Sequence, residues 1–282
     1  MTEGAAEAHM PPLRSGSGRA DVWAQFLSHR GAVVGLLVLA LIVVCVLFGP
    51  LVHTLDPQFL DYLDKNQGMS RKHPLGTDNL GRDTLAQVLH GGRVSLAVGL
   101  AAMLLSLALG ALIGVLAGYV RWLDGPLMRL TDLFLALPLL PLLLVIIMLY
   151  RETLRALFGP EAGVFLLIVF VIGITSWMQT ARIVRGEVLA LREQEFILAA
   201  RSIGTRPRRI ITRHILPNVL SPIMVSATLG LATAIITESA LSFLGVGFPS
   251  DFPTWGKLLA DAVQRMQDFP ERVLLPGIAI SL

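Results

Sequence analysis

Ionisable residues are scarce in this chain, and cysteine is almost absent. Of its 282 residues only 15% are Asp, Glu, Lys or Arg, whereas 54% are hydrophobic. Soluble domains carry about 25% charged residues, so this composition is typical of an integral membrane protein. The lone cysteine, Cys45, excludes an intrachain disulfide and a cysteine-based metal cluster. The six histidines are scattered and form no His-Glu-x-x-His pair, so a metal site is not predicted.

Long apolar runs recur along the chain and predict an all-helical membrane protein. A helix needs about 20 apolar residues to cross a bilayer, and five runs reach or approach that length. The runs are Gly31–Val52, Val94–Val120, Leu130–Tyr150, Gly163–Met178 and Val219–Val246. A sixth begins near Val273 and stops at Leu282, so its helix would reach only about 15 Å. We expect that span to be incomplete, in a polypeptide that continues or whose sequence was trimmed.

The two ends of this arrangement differ in composition. Residues 1–28 are predicted to be a disordered cytoplasmic tail, because the first twenty are rich in alanine, glycine, proline and serine. The first membrane helix is placed at 29–52, whose apolar run is too long for a cleavable signal peptide. Residues 53–93 follow as a loop with a short amphipathic helix, and 94–282 as the main membrane domain.

Arginine predicts which loops face the cytoplasm. Between Arg182 and Arg213 there are eight arginines and three acids, so the loop 182–216 is predicted to be cytoplasmic. Counting spans back puts the N-terminus in the cytoplasm and the loop 53–93 on the outer side. That outer loop has five Lys and Arg residues, which five aspartates offset.

The sequence EFILAARSIGTRPRRIITRHILPN, Glu195–Asn218, is called the basic segment below; it carries five arginines and one acid between apolar runs. Its spacing also fits a helix-turn-helix DNA reader, but about 30 residues pinned between two spans are too few for such a domain. A solvated loop whose arginines only set topology would explain the charge but not the pattern.

The pattern of the basic segment predicts two helices joined at a glycine. A first helix would carry Phe196, Ala199, Ala200 and Ile203 on one face. Gly204 can take the left-handed conformation that ends a helix. The next helix would have Thr205 as its cap and Pro207 in its first turn, and Pro217 would then mark the start of another span. Such a segment is suited to being gripped by a partner.

A second string, HPLGTDNLGRDTLAQVLHGGRVSL, runs from His73 to Leu96. Gly76-Thr77-Asp78 predicts a tight turn, and Asp83 or Thr84 can cap a short helix with one apolar side. Gly91-Gly92 is predicted to end that helix, which we expect along the outer membrane face. The string differs from a phosphate-binding loop, because Arg82-Asp83 stands where Lys-Ser/Thr is needed, so it does not bind ATP.

Small residues and prolines mark two of the spans. Gly110, Gly114 and Gly118 recur every four residues, a spacing that lets helices approach closely in lipid. The contact could equally be internal packing or a subunit interface. Pro138 and Pro141 are predicted to bend the third span, because each removes a helical hydrogen bond.

Glu238 is the one acid late in the fifth span. An ionisable group in a membrane is a functional candidate. It follows Pro217 by 21 residues, about 31 Å of helix, so we expect it near the outer interface and in contact with water. A structural or gate-lining role is favoured over direct contact with the substrate.

The basic segment resembles the EAA motif of ABC importer permeases, in which two alanines, a glycine and a Leu-Pro pair recur at fixed spacing. The matching residues are Ala199, Ala200, Gly204, Leu216 and Pro217. The glutamate position of that motif falls on Leu198. The nearest acid, Glu195, stands where the dipeptide, oligopeptide and nickel branch of the family carries it.

The string that begins at His73 is similar to the outer-face signature of the second, C-type permease subunit of those systems. The residues that carry this likeness are His73, Pro74, Gly76, Thr77, Asp78, Gly81, Arg82 and Asp83. The resemblance covers about residue 73 to the end, together with the first span.

The resemblance implies a type I ABC importer permease of the bacterial cytoplasmic (inner) membrane, all-α with six membrane helices, the last incomplete here. Such a subunit does no chemistry. Within the membrane lipid it pairs with a second permease, which is a different chain. Two cytoplasmic ATPases bind ATP and Mg²⁺, and an extracytoplasmic binding protein delivers the substrate. Nucleic acid is not a partner. The helix around Thr205–Arg213 would be the coupling helix. The implied ATPase-coupling residues are Glu195, Ala199, Ala200, Gly204, Thr205, Arg206, Arg208, Arg209, Arg213, Leu216 and Pro217.

The motifs indicate coupling and family rather than cargo. Peptides are the expected substrate, with nickel or another small solute as the alternative. An ATP-independent carrier or channel would need polar residues at mid-membrane, and a membrane enzyme would need a cluster of acid, base or metal-binding residues. None of the predicted spans shows a convincing set of either kind.

Overall fold

The computed structural model describes residues 27–249 and 252–282, and within these ranges the chain is helical without an extended strand. The predicted tail, 1–28, lies outside the described residues except for its last two. The helices in these ranges are α1 (Arg30–Val52), α2 (Thr84–Tyr119), α3 (Arg121–Ala136), α4 (Leu139–Phe158), α5 (Pro160–Arg192), α6 (Glu195–Ser202), α7 (Pro207–Ile210), α8 (Leu216–Phe243), α9 (Trp255–Val263) and α10 (Glu271–Ser281).

The chain divides into two compact units, Met1–Cys45 and Val46–Leu282. Most of α1 lies in the first unit, and the other helices lie in the second. Four described helical stretches are long and apolar enough to cross a membrane: α1, α2, α5 and the continuous stretch Pro207–Phe243. The pair α3 and α4 makes a fifth if it is one broken span.

The third predicted span is broken rather than bent. We expected one helix over Leu130–Tyr150, but α3 ends at Ala136 and α4 begins at Leu139, with an angle of 88° between them. Leu137 is extended, with ψ 137°, because the ring of Pro138 disfavours a helical conformation in the residue before it. A proline within the span therefore separates two helices here.

The prediction that a short helix ends at Gly91-Gly92 is wrong. α2 runs without interruption from Thr84 to Tyr119, so the boundary drawn at 93 falls inside a helix. The two glycines allow close packing instead. A Cβ atom on Gly91 would lie 3.2 Å from the Cα of Thr254, and one on Gly92 would lie 2.7 Å from the ring of Trp255.

The glycine row of α2 packs against α5 within this chain. A Cβ atom on Gly110 would lie 2.8 Å from the carbonyl oxygen of Trp177, and one on Gly114 would lie 2.7 Å from that of Ala181. One on Gly118 would be 2.7 Å from the Cβ of Val188. Since contacts advance together along both helices, α2 and α5 run parallel in close backbone contact. These glycines therefore serve internal packing, which was one of the two alternatives; the other was a subunit interface.

Three apolar clusters lie among the described residues of the second unit, and two of them concern the candidate site. One surrounds Ile168 and Ile172 of α5, with Leu143 and Ile147 of α4 and Val98 of α2. The other lies where α2 and α5 end and α8 begins, at the basic segment. The second cluster therefore joins this segment to three long helices.

Candidate functional site

Gly204 joins the two halves of the basic segment in a left-handed turn. α6 ends at Ser202, and Gly204 follows with φ +76°. The N–H of Thr205 donates to the carbonyl of Ala200 at 3.0 Å, and that of Gly204 donates to Arg201 at 2.9 Å. These two bonds form a Schellman motif, which satisfies the last carbonyls of α6.

The helix after this turn begins one residue later than predicted. Arg206, not Thr205, is the N-cap residue of α7, and its side chain makes no capping bond. Pro207 occupies the first turn, where its missing N–H costs nothing. The chain continues through a π-helical turn, Ile211–Ile215, directly into α8, so the expected separate coupling helix is the beginning of a membrane span. Pro217 explains the widened turn, because it cannot donate to the carbonyl of Arg213.

Three of the four residues on the apolar face predicted for α6 are exposed. Ile197 and Ala200 are its buried residues, whereas Phe196 is 46% exposed and Ile203 is 82% exposed. The face of α6 that meets the bundle carries Ile197, which belongs to one apolar cluster with Val184 and Val188 of α5. The exposed apolar residues therefore form a surface that the described part of the chain leaves uncovered.

The basic segment is anchored to the ends of three helices. Its buried residues Ile197, Ala200, Ile210 and Ile215 belong to one cluster with valines of α2, α5 and α8. The guanidinium of Arg201 lies 5.2 Å from the ring centre of Tyr119, at the end of α2. The basic segment as a whole therefore packs against parts of α2, α5 and α8.

Nine of the eleven predicted coupling residues are exposed on the surface of the chain. Ala200 is buried and Thr205 is half-buried; the exposed ones are Glu195, Ala199, Gly204, Arg206, Arg208, Arg209, Arg213, Leu216 and Pro217. Together with Phe196 and Ile203 they make a surface that is apolar and strongly basic. A complementary partner would offer an apolar groove with acidic groups around it.

At the opposite end of α2, the signature residues build one hydrogen-bonded loop. Asp83 is 3% exposed, and its carboxylate accepts from the N–H of Ala86 at 2.7 Å, so it is the N-cap of α2. The same carboxylate bonds the rings of His53 and His73, each at 2.8 Å. Thr84, the other candidate cap, has a buried hydroxyl without a partner among the described residues.

The turns of this loop depend on two glycines with positive φ. Gly76 has φ +73° and Gly81 has φ +83°. A Cβ atom on Gly81 would overlap the carbonyl oxygen of Asp61, so only glycine fits. Asp78 closes the turn between them by accepting from the Nε of Arg82 at 2.7 Å.

Lys72 pairs with Asp64 on the surface of the loop, with 2.7 Å between Nζ and Oδ2. This hydrogen bond lowers the pKa of Asp64 from its ordinary value. A carboxyl with a lowered pKa stabilises the fold at pH values above its unfolded pKa, and the contribution is lost as pH falls through the folded pKa. The exposure of the pair keeps this contribution small.

Sequence reasoning missed Arg272, which joins this loop to the start of α10. Its guanidinium donates to the carbonyl of Thr77 at 2.6 Å and to the side chain of Asn66 at 3.0 Å. The arginine lies nearly 200 residues away in sequence, and no local pattern indicates the contact.

Glu238 is fully buried, so the prediction that it contacts water is wrong. Its two carboxylate oxygens accept hydrogen bonds from Ser95 at 2.9 Å and from Ser242 at 2.7 Å. The N–H of Trp255 donates to the Oγ of Ser95 at 3.3 Å, which places the start of α9 over the site. The sequence-based estimate used only the distance along α8 from Pro217, so it could not show that the start of α9 covers Glu238.

Replacing Glu238 with leucine is expected to lower the free energy of unfolding by about 1–3 kcal/mol, because two buried serine hydroxyls lose their acceptor. Glu238→Gln keeps an acceptor oxygen and should lie between the wild type and leucine. The midpoint of thermal unfolding of the purified complex measures the difference. Equal midpoints for all three proteins would show that the carboxylate does not hold α2, α8 and α9 together.

A cleft of about 240 Å³ opens between α2, α5, α8 and the broken pair α3 and α4. Ser106, Ser176, Gln179, Thr180 and Thr233 contribute polar atoms to its lining, and Met103 and Phe134 are among its apolar residues. The spans therefore carry more polar residues facing a common space than the sequence-based prediction allowed. Three of these polar residues come from α5, but the predicted span ended at Met178 and left Gln179 and Thr180 outside it. Packing then adds Ser106 of α2 and Thr233 of α8.

The C-terminal part of the chain matches a known transporter family. Residues 107–282 match the family described as binding-protein-dependent transport system inner membrane component. The chain belongs to this family. Residues 18–69 also match the N-terminal membrane domain of oligopeptide transport permease C. The predicted recognition, a C-type permease of an ABC importer in the inner membrane, is confirmed.

Similar proteins agree with this family assignment. The chain is 37% identical to the dipeptide transport system permease protein DppC of Alkalihalophilus pseudofirmus, over 93% of this chain and 83% of that protein. It is 34% identical to the oligopeptide transport system permease protein OppC of Bacillus subtilis, over 91% and 81%.

The fold is also similar to that of a solved chain. The match is to an inward-facing structure of the MetNI methionine ABC transporter, with TM-score 0.52 and 18% identity, over 68% of this chain and 88% of that one. The predicted fold class, a type I importer permease, is confirmed.

Proposed function

We propose that this permease forms half of the translocation pathway of an ATP-driven peptide importer and couples that pathway to partner ATPases. The observation that carries the coupling role is the anchoring of the basic segment. The buried residues of the basic segment share one apolar cluster with valines of α2, α5 and α8, and the other face of α6 exposes apolar and basic residues. A partner that gripped the exposed face and moved would move three membrane helices with it.

The partners follow from this role. Two ATPases would hold ATP and Mg²⁺ and dock on the basic segment, so that this end of the bundle would face the cytoplasm. We propose the same side for the N-terminus from the distribution of arginines. A second, different permease would complete the pathway, and an extracytoplasmic binding protein would deliver cargo at the Asp83 end. Peptides are the proposed cargo because the similar permeases are named for dipeptide and oligopeptide transport.

Gly204→Val tests the coupling role. Valine is poorly tolerated at φ +76°, at a cost of roughly 1–2 kcal/mol, so the turn between α6 and α7 should rearrange. We expect the amount of ATPase that co-purifies with the permease, and ATP-dependent peptide uptake, to fall roughly tenfold. Both are measured on the complex expressed with its ATPases, second permease and binding protein.

Gly204→Asn is the matched control, because asparagine readily adopts left-handed φ values and no atom lies within 4 Å of the added Cβ. It should keep ATPase association and uptake near the wild-type level. If the valine variant holds its ATPases and transports normally, the turn is not part of the coupling device. If the wild-type chain never holds an ATPase, an ATP-independent carrier becomes the better proposal.

A further inference from the structure

Four polar side chains in the cleft have no hydrogen-bond partner in the described parts of the chain. They are Ser106 of α2 and Ser176, Gln179 and Thr180 of α5. Thr233 of α8, by contrast, donates to the carbonyl of Leu229 in its own helix at 2.9 Å. Polar groups between membrane helices usually hydrogen-bond across the helix contact, and these four do not.

Their depth makes the lack of partners informative. Ser106 lies near the middle of the apolar run of α2, and Ser176 lies at the centre of α5. Unpaired donors facing hydrocarbon cost several kcal/mol each, so such groups belong on a surface that meets water, cargo or another protein.

We propose that this cleft binds the main chain of the transported peptide at mid-membrane. Serine, threonine and glutamine side chains both donate and accept, which matches the N–H and C=O groups that every peptide presents. A cleft that recognises main-chain groups would accept peptides with different side chains. The inference rests on the proposed function and deepens it by assigning a cargo surface.

Size and charge support a peptide over a metal ion. The volume of about 240 Å³ is smaller than the roughly 300–1,000 Å³ of a complete small-molecule pocket, as expected if a second permease supplies the facing wall. Among the described residues, no ionisable side chain lines the cleft. A divalent cation such as Ni²⁺ would need imidazole, carboxylate or similar ligands, and the lining offers none.

Gln179→Glu provides the decisive test, because a charge in the cleft should change which peptide is preferred. The complete importer in proteoliposomes would take up a mixture of a lysine-containing and a glutamate-containing dipeptide. We expect the uptake ratio to shift roughly tenfold toward the lysine peptide, since opposite charges attract strongly away from bulk water. Gln264→Glu, an exposed site beyond α9, adds the same charge away from the cleft and should leave the ratio near wild type.

Ser176→Ala tests the same surface without adding charge. Loss of one hydrogen bond to the cargo should raise the KM for peptide uptake about threefold to tenfold, with kcat unchanged. An unchanged peptide ratio in Gln179→Glu, or an unchanged KM in Ser176→Ala, would overturn the proposal. Loss of the second permease on co-purification with Ser176→Ala would also overturn it, because the polar groups would then bind that subunit rather than cargo. Absence of ATP-dependent peptide uptake by the wild-type complex would instead count against the proposed function itself.

Discussion

Gly114→Val is expected to lower the free energy of unfolding by about 3 kcal/mol or more and to leave little folded permease. The added Cβ alone would lie 2.7 Å from the carbonyl oxygen of Ala181 and 2.8 Å from the Cβ of Val184. Neither atom is the end of a flexible side chain, so α2 and α5 would have to separate along their whole contact. Separation would also loosen the cluster that anchors the basic segment.

The measurement is the midpoint of thermal unfolding and the monodisperse fraction of the complex in detergent. At about 2–4 °C per kcal/mol for proteins approaching this size, the midpoint should fall by roughly 6–12 °C. Gly186→Val is the matched control, because Gly186 is an exposed glycine of α5 with no atom within 4 Å of an added Cβ. If both variants fold equally well, the α2–α5 contact is not limiting for stability.

Local pattern was sufficient for features that depend on neighbouring residues. The left-handed turn at Gly204 and a cap at Asp83 or Thr84 each involve groups only a few positions apart. Apolar length identified the spans for the same reason, since crossing a bilayer is a property of one continuous run. The break at Pro138 was expected as a bend, because the conformation of Leu137 decides between a bend and a break.

Features that depend on distant residues could not be predicted in this way. In the sequence, Gly91 and Gly92 indicate the end of a helix. Only the structure shows that Thr254 and Trp255 pack on them. The outward face of α6 likewise depends on contact with α5, which no periodicity within α6 specifies. The polar cleft is another case, because only packing brings Ser106 of α2 and Thr233 of α8 to the polar residues of α5.

Asp83→Ala is expected to cost about 2–4 kcal/mol, because one carboxylate satisfies three separate groups. The cap on Ala86 alone contributes about 1 kcal/mol, and a negative charge at the start of α2 is further stabilised by the helix dipole. The rings of His53 and His73 would also lose their acceptor, and His73 is buried. The loop should then open, exposing backbone bonds such as that from the N–H of Thr84 to Gly76.

Hydrogen exchange of residues 64–84 in the intact complex measures this opening, and two variants separate its causes. Asp83→Asn keeps a capping oxygen but can serve only part of the histidine pair, so its exchange should be intermediate. Thr84→Ala removes the neighbouring buried hydroxyl, which has no partner in the described chain, and should leave exchange unchanged. If Thr84→Ala opened the loop and Asp83→Ala did not, the hydroxyl would be the cap. α2 carries both the Asp83 cap and the glycine row that packs against α5. If the loop opened and peptide uptake stayed intact, the Asp83 end of α2 would tolerate disorder. Transport would then depend on the α2–α5 contact and not on the cap.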